Sequence, residues 1–340
     1  MKDLKSIQPD KPFKDLNDMI ELLKERNILI NDEDFAKMAL SHYSYYSLIN
    51  GQKKAFLKDG EADLYRDGTS FDNLYALYLV ESNLNNILLK YILYVEKFLK
   101  TKIAYYVSQD FGVVSDLNDT SNNNPDDYLY RRNYKPGQQS NDALYRLKKA
   151  SGEKQRNEII DYYIQTKNHL PPWILITNVS FGLTIKWFSI LRPTQKDLIV
   201  NEFLDCDSLS LEEKKEYLNK AFKLLQLYRN KIAHTGAYKD FSSLPALPKK
   251  QAKLLSYECI TDQELNDGIG SQRAFGIIVC CMILLNDYHL REQIISDIKY
   301  TLTPYLNSFL FGKHIFELLG LPANVFDKLD TLYNHLTNNQ

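Results

Sequence analysis

The 340-residue sequence has no apolar run long enough to cross a bilayer. Its longest, residues 275–285, falls well short of the roughly 20 residues a membrane helix needs. The N-terminus opens Met1-Lys2-Asp3 with no apolar stretch behind it, so no secretory leader and a cytoplasmic location are expected. Cysteine is scarce. Cys206, Cys259, Cys280 and Cys281 have no CxxC spacing and no nearby histidine, which argues against a zinc site or a disulfide framework and for small apolar residues in a reducing compartment. An excess of one charge is missing too: 42 basic and 43 acidic side chains leave a net charge of −1. A general nucleic-acid coat carries a global basic surface, and this chain does not. Any RNA contact must use a local patch. Asp, Glu and His do not cluster at metal-ligand spacing, so no metal or other cofactor is called for.

What is present is helical periodicity. Residues 71–111 contain neither proline nor glycine. Apolar residues recur at Phe71, Leu74, Tyr75 and Tyr78, then at Leu84, Ile87, Leu88, Tyr91, Ile92, Val95, Leu99 and Ile103. That period is near 3.6 and predicts one or two long amphipathic helices, about 60 Å if continuous, with a possible break at the polar cluster 81–86. Further helices are expected over 13–26, from a cap at Asp34 toward Tyr46, and over 142–150, 153–167, 172–191, 195–204 and 211–234. Four more are expected over 272–288, 292–308, 313–319 and 324–336. Residues 112–139 read as a loop, with Asn118 to Pro125 its most polar part. Strand signals are few, so the fold class is all-α. The 24 tyrosines fit half-buried helix faces better than base-stacking surfaces.

The segment Arg229-Asn230-Lys231-Ile232-Ala233-His234 closes the helix expected from Leu211. On an ideal helix Leu218, Phe222, Leu225 and Arg229 share one stripe, so Arg229 sits where an apolar residue belongs. A charge there is costly unless it is paired or the stripe leaves the core. An arginine that can hold a phosphate and a histidine that can move a proton near neutral pH are the parts of a metal-free RNA-cleaving site. The two lie about 140° apart around an ideal helix. Either the last turn loosens before Gly236, or a second copy of the helix completes the site across a two-fold axis. A plainer alternative has Arg229 bridging to a buried carboxylate such as Glu96 while His234 caps the helix. The other histidines have no catalytic context, and His169 reads as a structural loop residue. For RNA contacts the candidates are Arg131 and Arg132 with Tyr130 and Tyr134, then Lys148 and Lys149, and the run Lys249, Lys250 and Lys253. Basic groups interleaved with aromatics suit single-stranded RNA, although each patch alone also fits a solvated surface.

These features extend over most of the chain. They include Ser44-Tyr45-Tyr46, Gly68-Thr69-Ser70-Phe71-Asp72-Asn73-Leu74-Tyr75, the string from Val95-Glu96-Lys97 to Ala104-Tyr105, Pro171-Pro172-Trp173-Ile174, Ser180-Phe181-Gly182, Tyr228-Arg229-Asn230 through Ala233-His234, and Leu244-Pro245-Ala246-Leu247-Pro248. In them the sequence resembles the Abi-like (AbiD/AbiF-type) bacterial abortive-infection proteins, whose core belongs to the HEPN superfamily. The resemblance covers roughly residues 13–290. It implies a multi-helix bundle: an N-terminal helical region (1–65), a HEPN-like core (66–290, with a loop over 112–140) and a helical tail (291–340). It implies a homodimeric, metal-independent RNA endonuclease acting as a toxin, with Arg229 and His234 as the Arg-x4–6-His motif. Asn230 matches the polar residue after the arginine, and Glu96 matches an acidic position that packs near the motif. Cleavage by the ribose 2′-hydroxyl would leave a 2′,3′-cyclic phosphate. A structured small RNA is the implied regulatory partner, and a non-catalytic module that holds such an RNA is the competing reading. After His234 this chain has Thr235-Gly236, where relatives usually have glycine at once.

Overall fold

The computed structural model describes residues 10–116, 120–152, 157–235 and 243–338; the side chains of 234, 235 and 338 lie outside that description. The chain is all-α. Its only regular strands among the described residues are the two-residue pair Phe309–Leu310 and Lys313–His314. No described helix is long and apolar enough to cross a membrane. The backbone divides into two compact units, residues 1–85 with 231–240 and residues 86–230 with 241–340.

In the first unit, Leu16–Glu25 opens with a reciprocal cap in which Asp15 and Asp18 each accept the other's backbone N–H. Helix Glu33–His42 is capped by Asp32, two residues before the expected Asp34, because the Asp32 carboxylate accepts the Phe35 N–H. Between this helix and the long one lie a π-turn (Tyr46–Asn50) and a single helical turn (Lys53–Phe56). Ile20, Leu23, Ala36, Ala39, Leu48, Phe56, Tyr65 and Leu74 form the core of this unit.

Phe71–Phe111 is one uninterrupted helix. Ser70 Oγ accepts the Asn73 N–H at its start. Gly112, at φ +81°, ends it in the left-handed conformation that a residue with a Cβ adopts only at a cost. Of the two alternatives left open, one helix or two, the structure has one, with no break at 81–86. Glu81 and Asn85 are buried, and Glu81 accepts a hydrogen bond from Gln52 of the same unit. Polar residues there mark an internal network and leave the helix intact.

In the second unit, the long helix buries Leu88, Ile92, Val95, Leu99, Ile103 and Val107 along one stripe. Helix Gln138–Ala150 packs on Phe181–Ile190. The span expected as one helix over 172–191 is three pieces: Pro172–Leu175, a 3-10 turn at Ile176–Asn178, and Phe181–Ile190. Ser180 caps the last by accepting the Leu183 N–H. Lys249–Leu255 and Asp262–Asn266 were not expected from periodicity; each is too short to show it. Helix Ala274–Leu284 is buried on every side. Gly276 lets it approach the 270–271 backbone, where a Cβ would lie 2.9 Å from Gly270 C and Ser271 N. The tail helices Tyr288–Leu302 and Val325–Asn338 pack on each other and on Ala274–Leu284.

Helix Pro193–Phe203 carries an unusual lysine. Lys196 is 6% exposed, and its Nζ lies 4.8 Å above the Phe188 ring. Burial pushes its pKa down to about 8, and Lys135 and Lys215 push it the same way. Asp197 and Glu212 oppose them. Between that value and the ordinary 10.5, the unfolded chain binds more protons than the native one. Stability therefore rises with pH across this window, and the cost of the buried charge is greatest below it. Lys196→Met is expected to stabilise the protein at pH 7 by on the order of 2 kcal/mol and to flatten its stability between pH 8 and 10. Urea denaturation across that range checks both effects.

Candidate functional site

The helix that carries the motif, Leu211–Thr235, starts from a capping box. Ser210 Oγ accepts the Glu213 N–H, and Glu213 Oε2 accepts the Ser210 N–H. Its buried stripe is Tyr217, Leu218, Ala221, Phe222, Leu225 and Tyr228. Phe222 fixes its rotation by meeting Phe188 and Phe203 edge-on, at 5.6 Å and 5.4 Å between ring centroids. One turn beyond Leu225 that stripe delivers Arg229.

Arg229 is half-buried. Its Nη1 donates to Asn230 Oδ1 at 3.2 Å, so the asparagine holds the guanidinium. Its Nε is buried and has no hydrogen-bond partner among the described residues. A buried N–H without an acceptor is costly, and an anionic oxygen would satisfy it. The bridge from Arg229 to Glu96 is not formed among the described residues. Glu96 pairs instead with Lys100, one turn along the long helix, at 2.8 Å. The backbone remains α-helical through Thr235, so the last turn does not loosen ahead of His234. The His234 side chain lies outside the described residues, as does Gly236, the expected C-terminal glycine.

The RNA-contact candidates separate. Arg131 and Arg132 are exposed in the 3-10 turn Arg131–Asn133, and Lys149 is exposed on the adjoining helix Gln138–Ala150. Tyr134 and Lys148 are core residues, which corrects the expectation for both. Tyr134 is 1% exposed; its hydroxyl donates to the Tyr128 carbonyl and accepts from Trp187 Nε1. It has no face for a base. The Lys148 side chain is wholly buried and donates to Asp127 Oδ2 and to the Asp116 carbonyl. The run at 249–253 is also committed. Lys249 donates to Asn266, Lys250 pairs with Glu213, and Lys253 pairs with Asp262.

Cys259, Cys280 and Cys281 are buried free thiols as expected, while Cys206 is half-exposed. Burial pushes the Cys280 thiol up to about 12, which leaves it unreactive. His169 lies in a loop with Nδ1 2.8 Å from Asn168 Oδ1.

Sequence reasoning missed a cleft of about 760 Å³ in the second unit. The long helix lines it with Leu93, Glu96, Lys100 and Ala104, and Trp173 and Thr177 face it from the segment after Pro171. The available signal was Trp173 itself, a tryptophan behind two prolines that is 46% exposed.

A family model described as Abi-like protein matches residues 38–238, more than half of the chain. No curated protein and no solved structure matches it.

Proposed function

The chain belongs to the Abi-like protein family, and from that premise we propose that it is an abortive-infection effector that cuts RNA without a metal, through a HEPN-type site. The family points to a part in defence against phage. The observation that carries the nuclease reading is Arg229: a guanidinium on a core stripe, held by Asn230, with a buried Nε that lacks an acceptor among the described residues. A phosphate oxygen supplies what that group needs.

The chemistry uses the substrate's own nucleophile. The ribose 2′-oxygen bonds to the adjacent phosphorus as its proton leaves to a base, and the P–O5′ bond breaks as the 5′-oxygen gains a proton. His234 is the proton-transfer group, Arg229 neutralises the crowded phosphorane, and Asn230 aims the guanidinium. A helix that stays regular past His234 does not turn both groups to one side. Two copies of it related by a two-fold axis supply two arginines and two histidines to one cleft, so the active form is a homodimer. Exposed Arg131, Arg132 and Lys149 suit the flanking phosphates, and a structured small RNA on the same patch would hold the protein inactive.

Expression of the wild-type protein is expected to arrest growth, and Arg229→Ala and His234→Ala are each expected to relieve the arrest. If both variants are as toxic as the parent, the nuclease reading is wrong. Relief without any change in RNA, together with tight RNA binding, would favour a module that holds RNA and does not cut it.

A further inference from the structure

The cleft beside Glu96 contains chemistry that the cleavage site does not use. Leu93, Glu96, Lys100, Ala104 and Ser108 line one wall at steps of three or four residues, so they form one face of the long helix. Trp173 and Thr177 line the other. The proline-initiated turn Pro172–Leu175 holds Trp173 close to half exposed, and Tyr105, at 64% exposure, stands at the rim. An indole held out of the core beside an aliphatic helix face makes a slot for a flat ring.

Glu96 gives the slot a polar end. It is only 7% exposed, and Lys100 Nζ engages its Oε1 at 2.8 Å. Its Oε2 is buried and has no hydrogen-bond partner among the described residues. An ionised carboxylate accepts at both oxygens and donates at neither, so the vacancy calls for an N–H or O–H. The Glu96 side chain keeps 10% of its surface at the cleft, and the terminal carboxylate torsion is broad, so a partial turn brings the unpaired oxygen to the cleft wall. Beside it, the Lys100 ammonium, with three N–H donors and one engaged by Glu96, can serve an acceptor in the cleft. Lys97 is exposed and lines the same cleft, where it suits a phosphate.

We propose that this cleft is a nucleobase-binding site, in which a base stacks on Trp173 and its amino-bearing edge bonds to Glu96 and Lys100. Adenine and cytosine present an amino donor beside a ring-nitrogen acceptor, and guanine presents N–H donors beside a carbonyl. Uracil has a single N–H between two carbonyl oxygens: Lys100 can take one, but the other faces the carboxylate where the amino-bearing bases offer a donor or leave no second carbonyl, and it is repelled. The site therefore prefers the three amino-bearing bases. The base comes from a single strand or from a free nucleotide. Neither source requires that the protein cut RNA, so this site stands or falls independently of the nuclease reading.

Binding to the full-length protein tests it, with AMP, CMP, GMP and UMP in equilibrium dialysis and labelled A6 and U6 RNA in fluorescence anisotropy. Saturable binding of AMP, CMP and GMP at least tenfold tighter than UMP is expected if free nucleotides enter. Binding of A6 over U6 without the mononucleotides assigns the site to a strand. Trp173→Ala should weaken the preferred ligand about tenfold or more. Glu96→Gln, which keeps the shape and adds an amide donor, should narrow the preference against uracil. Thermal melting confirms that both variants fold. Binding to neither class of ligand, or equal binding of A and U, overturns the proposal. So does a folded Trp173→Ala protein that binds as the parent does, or one that has only lost self-association by sedimentation.

Discussion

Replacing Lys148 with methionine is expected to destabilise the protein by about 3–5 kcal/mol, the cost of stranding a buried charge. Both side chains of the Lys148–Asp127 pair are fully excluded from solvent. Asp127 is the hub of its loop. Its Oδ2 accepts from the Ser115 hydroxyl at 3.1 Å and the Asp116 N–H at 2.9 Å, besides Lys148, and its Oδ1 accepts the Leu129 N–H at 2.7 Å. The ammonium also donates to the Asp116 carbonyl, so one cation ties both sides of the loop to helix Gln138–Ala150. Without it the carboxylate keeps three donors but loses its counter-charge. The doubly neutral Lys148→Met/Asp127→Asn variant should recover part of the loss, which a double-mutant cycle in urea measures. A Lys148→Met protein within 1 kcal/mol of the parent would show that the pair does not hold the loop. Lys149→Ala, exposed on the same helix, should leave stability nearly unchanged and weaken RNA binding in a salt-dependent way.

Arg229→Lys is expected to lose activity almost as completely as Arg229→Ala, with RNA cleavage falling about 10²–10³-fold in each. Asn230 takes one arm of the guanidinium, which leaves the buried Nε and the other arm as a planar pair of donors. A lysine ammonium cannot reach Asn230 and two phosphate oxygens in that plane. The loss should appear in the cleavage rate more than in RNA affinity if, as proposed, the guanidinium acts chiefly on the transition-state charge. A lysine variant with parental activity would reduce Arg229 to a point charge.

The parts that were legible in the sequence share a local cause. The 41-residue helix could be read because no proline or glycine interrupts a 3.6-residue period, with Ser70 and Gly112 at its ends. Arg229 stood out because a charge on the Leu218–Phe222–Leu225 stripe contradicts its surroundings. The misreadings came from partners distant in sequence. Lys148 looks like half of a basic pair until Asp127, in the preceding loop, is folded onto it. Tyr134 looks like a stacking residue until Trp187 and the Tyr128 carbonyl take its hydroxyl. The polar residues at 81–85 look like a helix break until Gln52 is seen to satisfy Glu81. The Glu96 cleft has walls some 70–80 residues apart in the chain, and no local pattern joins them.

The ends of the RNA products test the proposed bond chemistry at the scissile phosphate most directly. Purified parent protein is incubated with single-stranded RNA in EDTA, and the fragments are analysed by mass spectrometry. The account predicts 2′,3′-cyclic phosphates paired with 5′-hydroxyls, and no such fragments from the folded Arg229→Ala and His234→Ala proteins. Fragments ending in 3′-hydroxyls and 5′-phosphates, or cleavage that EDTA abolishes, would contradict it.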